Sequence, residues 1–383
     1  MKRRTFGSVR RLPSGRWQAR YRDPNGALRA GGKTFATKAD ADRWLATTQH
    51  ELVAGAWVDP KSGEQTLRDW ATRWMRNQLH LKPKTRVCCK SLLDARLLPA
   101  LGDVPLADLR TSQIQSMLTR FQEEGLSPSR CRQVVMVLSQ VMDAAIADGL
   151  IRSNPCRSVR RPRLPKTEMR VLSAAEVESL AEAIEPQYRT LVHALAYGGL
   201  RWGEAVALAR ESVDLDRGRL AVKRSVAEAG GVLYTGETKT YQQRSVVLPT
   251  FLRAELRSHL DQFVGSWDRA VLFTAPDGGL LRYSNFVPRH WRPALERAGI
   301  ETIGLHVMRH TCASLLASAG APIKAIQTQL GHSTAEMTLN RYSHLYPDHL
   351  DALATHLDAV HSRSILSQKL REPKDRSAEG RGR

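Results

Sequence analysis

The 383-residue chain has no uninterrupted apolar run near the ~18 residues that a membrane-spanning helix needs, so no membrane partner is expected. Its opening, MKRRTFGSVRR, carries charge with no apolar segment behind it, and no secretory leader is expected there. Cysteine is scarce. There are five, two of them adjacent (Cys88 and Cys89), and no CxxC spacing, which argues against a disulfide framework or a zinc knuckle and for a reducing cytoplasm. A GxxxxGK[ST] phosphate loop is missing, so chemistry driven by a nucleoside triphosphate has no support. His306 and His310 are four apart, but a zinc hydrolase of the HExxH type needs a glutamate where Val307 stands; no metal and no cofactor is expected. No internal repeat stands out.

What the chain has in excess is positive charge, +20 overall, and its distribution matters more than its size. Residues 1–60 hold 12 Lys and Arg against 5 Asp and Glu, residues 61–150 hold 13 against 9, and residues 151–170 hold 7 against 1. The long stretch 171–360 is balanced at 19 against 20, and the tail 361–383 holds 7 against 3. A surplus confined to the accessory regions and the tail is the footprint of domains that grip a polyanion.

The pattern predicts several domains. In residues 8–35 strand-like runs alternate with the turns PSG and DPNG, giving a small three-stranded antiparallel sheet. The period of two in RWQARYR puts Trp17, Ala19 and Tyr21 on one face and Arg16, Gln18, Arg20 and Arg22 on the other, a cationic face suited to reading a DNA groove. A helix from the N-cap Thr37 to about Ala54 covers the apolar side, completing a small domain over 1–60 suited to DNA binding. Helical periodicities at 66–78, 84–98, 111–124 and 129–148 predict an all-α domain of four helices over 61–150. Residues 151–170, with three prolines and a basic run that includes Arg160, Arg161 and Arg163, read as an extended interdomain linker against phosphates. From 171 to 361 the pattern is mainly α with a small antiparallel sheet from strands near 219–225, 231–235 and 244–248, a mixed α/β catalytic domain. Helices are expected at 284–298, 306–318, 322–329, 334–342 and 348–360, and residues 362–383 are expected to be disordered.

Within this third region Arg201 in GLRWGE, Lys239 in TGETKTY, His306 and Arg309 in LHVMRHT, His332 in LGHS and Tyr342 in RYSH suit one task. Singly, each has a plain structural explanation. Together they fit the attack of a phenol on a DNA phosphodiester. Charge builds on the non-bridging oxygens, and the planar forks of Arg201 and Arg309 meet it. A phenol has a pKa of about 10, so Tyr342 needs a base, and His306 lies one helical turn before Arg309. Lys239 can protonate the departing 5′ oxygen, His332 can bond a phosphate oxygen, and Glu204 can orient a guanidinium.

These six residues, in this order, resemble the catalytic set of the tyrosine recombinases in the phage-integrase branch. The N-terminal sheet and all-α middle resemble the arm-binding and core-binding domains of integrases from actinobacterial phages and integrative plasmids. Here HVMRH stands where HDLRH or HELRH is commoner, which leaves both catalytic positions intact, and Lys223 competes with Lys239. The resemblance implies a 3′-phosphotyrosyl intermediate and a homotetramer on double-stranded DNA carrying core-type and arm-type sites. It also implies a DNA-bending host factor and an excisionase as partners, and a cytoplasmic protein that joins the nucleoid when bound. The last helix, with Leu350, Leu353, Leu357 and Val360 on one stripe, is a docking element for a neighbouring protomer or packs on its own domain. The alternatives are a type IB topoisomerase, which has no need of an arm-binding sheet, and a non-catalytic DNA-binding regulator.

Overall fold

The computed structural model describes residues 6–55, 57, 59, 62–165, 170–237, 243–331, 334, 358, 361 and 362, and the chain divides into two compact units, Met1–Lys166 and Thr167–Arg383.

In the first unit β1 (Ser8–Arg11), β2 (Trp17–Arg22) and β3 (Leu28–Ala30) form an antiparallel sheet in that order. Alternation along β2 sends Ala19 and Tyr21 inward onto α1 (Lys38–Val53), where Ala41 and Leu45 meet them. Thr37 caps α1 by accepting from the Asp40 backbone N–H, as its position before the apolar period predicts. Gly7 is needed where the sheet begins. Its φ is +66°, and a Cβ there would lie 2.8 Å from both the Arg20 carbonyl oxygen and Leu45 Cδ2.

Then α2 (Leu67–Arg76), α3 (Pro83–Leu92), α4 (Leu98–Leu101), α5 (Thr111–Glu123) and α6 (Pro128–Ala147) enclose an apolar core. A wide π turn at Leu93–Leu97 joins α3 to α4 just ahead of Pro99, whose ring and missing N–H an α turn would not accept. Trp70 Nε1 donates to the Val141 carbonyl at 2.9 Å and ties α2 to α6. The basic composition of 151–170 suggests an extended linker from its first residue, and the structure differs. Ile151, Cys156 and Val159 are buried in the all-α core, and Asn154 Nδ2 donates to the Ser139 carbonyl and to Asp143. Three apolar side chains outweigh the charge around them, so the chain leaves this core only after Val159.

The second unit opens with α7 (Ala174–Ala183) behind the Ser173–Glu176 capping box read in the sequence, followed by α8 (Pro186–Gly198) and α9 (Trp202–Val206). Helix α8 is buried nearly all round, the mark of a central helix. Five strands follow: β4 (Val213–Asp214), β5 (Arg219–Val222), β6 (Arg224–Ala229), β7 (Val232–Glu237) and β8 (Arg244–Val247). They form a three-stranded antiparallel sheet in the order β4-β5-β8 and a separate β6-β7 hairpin. Next come α10 (Thr250–Phe263), α11 (Tyr283–Phe286), α12 (Arg292–Arg297), α13 (His306–Ser318) and α14 (Ile323–Leu330). The helix expected over 284–298 is interrupted by a π turn at Val287–Trp291, where Pro288 and Pro293 break the regular ladder. The helices expected at 334–342 and 348–360 and the tail 362–383 lie outside the described residues apart from Thr334, Asp358 and Ser362.

Candidate active site

Helix α8 ends at Gly199 in the left-handed conformation, φ +64°. A Cβ at this position would lie 2.5 Å from Leu330 Cδ2 and 3.0 Å from Cys312 Sγ, so glycine lets α13 and α14 close on the turn. Two residues later Arg201 stands at the N-cap of α9. Its backbone N–H donates to Glu204 Oε2 at 2.9 Å and its Nη1 to Glu204 Oε1 at 2.7 Å, while Nη2 lies 3.4 Å from the Gly331 carbonyl oxygen it donates to. The role expected for Glu204, orienting a guanidinium, matches this geometry.

Glu204 is only 1% exposed and holds a second guanidinium. Arg244 Nη1 and Nη2 donate to its two oxygens at 2.9 and 2.6 Å, and Arg244 Nε donates to the Gln329 carbonyl at 3.3 Å. Burial alone would raise the Glu204 pKa. The hydrogen bonds and charge of Arg244, with those of Arg201, outweigh burial and hold the carboxyl down to about 2.

Arg309, on the first turn of α13, is 2% exposed, and its Nη1 donates to the Gly199 carbonyl at 2.7 Å. Its Nη2 is buried and has no hydrogen-bond partner among the described residues. Burial first, then the positive charges of Arg201 and Arg244, push its pKa down to about 9, which still leaves a cation at neutral pH. Two guanidiniums thus share one carboxylate, a third feels their charge, and a buried N–H is left over. Such a donor costs roughly 1–3 kcal/mol unless something accepts from it, and the uncompensated charge says the acceptor is an anion.

His306 is the first residue of α13, exposed, one turn before Arg309, with its ring 4.8 Å from that of the buried His310. Among the described residues no group of three His, Cys, Asp or Glu converges as metal ligands. Lys239, His332 and Tyr342 lie outside the described residues. Two of them adjoin the arginine cluster in the chain: Gly331, which accepts from Arg201, precedes His332, and Arg244 follows Lys239 by five residues. Lys223 is exposed between β5 and β6.

Arg244 is the site residue that the sequence reading missed. Its signal was there, because the alternation in β8 places Arg244 on the same side as the fully buried Val246, and an arginine facing inward needs a carboxylate.

In the first unit the cationic residues lie where alternation puts them. Arg16 donates to Thr34 Oγ1 and to the Thr34 carbonyl, Gln18 accepts from Arg10, and Arg22 donates to the Gly26 carbonyl. Arg20 is half-buried, and its Nε has no partner among the described residues. Beyond Val159, Gln115 pairs with both the N–H and the carbonyl of Arg160, and Arg132 donates to the Pro162 carbonyl. The backbone is thereby held down while the side chains of Arg160, Arg161 and Arg163 stay exposed.

Comparison with known proteins agrees along the chain. Residues 5–54 match the phage integrase N-terminal domain, 67–162 the phage integrase central domain and 170–349 the phage integrase family. A putative prophage phiRv2 integrase of Mycobacterium tuberculosis (strain ATCC 25618 / H37Rv) is 30% identical over 354 residues, 89% of this chain and 92% of that protein. Among solved structures, the Tn1549 transposon integrase in complex with a circular intermediate DNA has a TM-score of 0.64 at 22% identity, covering 77% of this chain and 99% of that one. The lambda integrase tetramer bound to a Holliday junction has a TM-score of 0.56 at 20% identity, covering 88% and 97%. The class is that of the DNA strand-transferases. Within it, the chain belongs to the phage integrase family of tyrosine recombinases.

Proposed function

We propose that the protein is a site-specific integrase that joins phage or mobile-element DNA to a chromosome, with Tyr342 as nucleophile and no metal or nucleotide in the reaction. The observation that carries this is the anion site at the end of α8: Arg201, Arg244 and Arg309 around Glu204, with a buried Arg309 N–H waiting for an acceptor. A scissile phosphate supplies two non-bridging oxygens, and the guanidinium forks stabilise the charge that grows there during attack. The Tyr342 oxygen forms a bond to phosphorus as the bond to the 5′ oxygen breaks. The phenolic proton passes to His306, the 5′ oxygen takes a proton from Lys239, and His332 bonds a phosphate oxygen. A 5′ hydroxyl from the partner strand then attacks the 3′-phosphotyrosyl link and reseals the DNA, so the bond energy is retained throughout.

Four protomers act on two duplexes. The sheet face of Arg16, Gln18, Arg20 and Arg22 takes arm-type sites, and Arg160, Arg161 and Arg163 lie along the phosphates of the core site. A DNA-bending host factor and an excisionase are the protein's partners on DNA. The reading is tested with a nicked attachment-site substrate that traps covalent adducts. Adduct formation is expected to vanish in Tyr342→Phe and persist in Tyr346→Phe, and an adduct that survives Tyr342→Phe removes Tyr342 from the nucleophile's role.

A further inference from the structure

The β6-β7 hairpin belongs neither to the three-stranded sheet nor to the anion site, yet it leads directly into the chain segment that bears Lys239. Two of its contacts matter here. Near its base, β6 lies against the start of α9 so closely that a Cβ on Gly203 would be 2.2 Å from the Val226 carbonyl oxygen and 2.7 Å from Ser225 Oγ. Gly203 is the second residue after Arg201, so this contact registers β6 against the arginine turn. At its tip the hairpin is clasped by the turn that starts α11. Glu228 accepts from the Ser284 backbone N–H at 3.1 Å and from the Ser284 hydroxyl, and Arg282 Nη1 donates to the Gly231 carbonyl at 2.6 Å.

That same short turn touches the residue beside Arg201. Trp202 packs edge-on to Tyr283, with ring centroids 6.0 Å apart, and lies 4.8 Å from the Phe286 ring. Residues 282–286 therefore grip the hairpin with one set of groups and the arginine turn with another. Burial of Glu228 raises its pKa, but the two hydrogen bonds from Ser284 and the charge of Arg282 hold it below the ordinary carboxylate range, so the clasp is ionised at neutral pH. A hairpin needed only to cross the surface has no use for a charged clasp at its tip and a glycine contact at its base.

We propose that Glu228, Ser284 and Gly203 are positioning residues: they fix the hairpin in register with Arg201 and so set where the lysine after β7 meets the leaving 5′ oxygen. This rests on the reading of Lys239 as the general acid. Misplacing a proton donor slows the step that needs the proton and leaves a step that does not need it unaffected. The test uses the full chain and two nicked substrates, one with oxygen and one with sulfur at the 5′ bridging position of the scissile phosphate. Sulfur leaves as a thiolate and needs no proton.

Glu228→Ala and Ser284→Ala are expected to slow adduct formation on the oxygen substrate roughly tenfold or more, to cleave the sulfur substrate at close to the wild-type rate, and to bind core-site DNA normally. Ser284→Thr keeps the hydroxyl and is expected to behave as wild type on both. An equal loss on the two substrates in the clasp variants, with Lys239→Ala rescued by sulfur, overturns the clasp alone. Lys239→Ala that is not rescued removes the lysine from the acid's role, and the proposal falls with it.

Discussion

The arginines of the catalytic unit and those of the N-terminal sheet are held in opposite ways. In the catalytic unit Arg201 and Arg244 share one carboxylate that is 1% exposed, and Arg309, bonded to the Gly199 carbonyl, is itself 2% exposed with a donor left over among the described residues. On the sheet, Arg16 and Arg22 rest on a hydroxyl and on backbone carbonyls at the surface, where water competes for every contact. The first arrangement has its side-chain order built in before DNA arrives, which favours charge that exists only in the transition state. The second, in the function proposed, orders itself on contact and serves binding, which rewards adaptability and total charge more than geometry. In the function proposed, one residue type thus serves two purposes, and burial decides which.

The largest expected effect comes from breaking geometry while keeping charge. Arg309→Lys retains a cation but loses the planar fork, and adduct formation on a nicked core site should fall by about 10²–10³. Core-site affinity in a gel-shift assay should change little. Arg16→Lys on the sheet should leave arm-site binding nearly intact, because there the charge is what counts. Equal tolerance of lysine at both positions would erase the distinction.

The contrast was only half visible in the sequence. Alternation in RWQARYR fixed the sheet's two faces, because a strand half-exposed to solvent writes its period of two openly. Helices α5, α6 and α13 fell within a residue or two of expectation for the same reason. Helix α10 was not singled out, although Leu252, Leu256 and Leu260 repeat every four residues and are buried. The linker was misjudged where prolines and arginines mask apolar anchors such as Val159, whereas the helix expected over 284–298 is there as one helical run, Tyr283–Arg297, with a π turn inside it. Arg201, Glu204 and Arg309, which the structure brings together, were legible from residue type and spacing. Arg244 was not, since the contact that defines it joins positions forty apart in the chain, and no local pattern records such a pair.

A second, smaller effect separates charge from geometry within the cluster. Glu204→Gln adds to the net positive charge around the anion site yet removes the anchor that aims Arg201 and Arg244, so cleavage should slow rather than quicken. Breaking a buried ion pair of this kind also costs on the order of 3–5 kcal/mol. The pH dependence has a definite sign. The Glu204 pKa is depressed from 4.5 to about 2 in the folded chain, so its contribution is complete above pH 4.5 and drains away as pH falls toward 2. Hydrogen exchange in peptides covering α9 and β8 should therefore quicken between pH 4.5 and 2.5 in the wild type, after correction for intrinsic rates. In Glu204→Gln it should start faster and show little of that added dependence. A wild-type profile that is flat across this window would mean the carboxylate is not held as its contacts imply.

The smallest effect is on the sheet. Arg20 Nε has no partner among the described residues, so Arg20→Ala breaks no hydrogen bond at that atom, and stability should change little. Arm-site binding should weaken while core-site cleavage stays intact, since the two contacts are made by different domains. The kind of weakening is informative. If Arg20 neutralises a phosphate, the slope of log K against log salt should lessen by about 1 and the loss should be the same on every sequence. If it reads a base edge, the loss should be about 1–3 kcal/mol on the cognate arm site and much less on a scrambled one. A fall in core-site cleavage equal to the fall in arm-site binding would mean that the sheet is not a separate DNA-binding device, and the contrast with the buried cluster would lose one of its two terms.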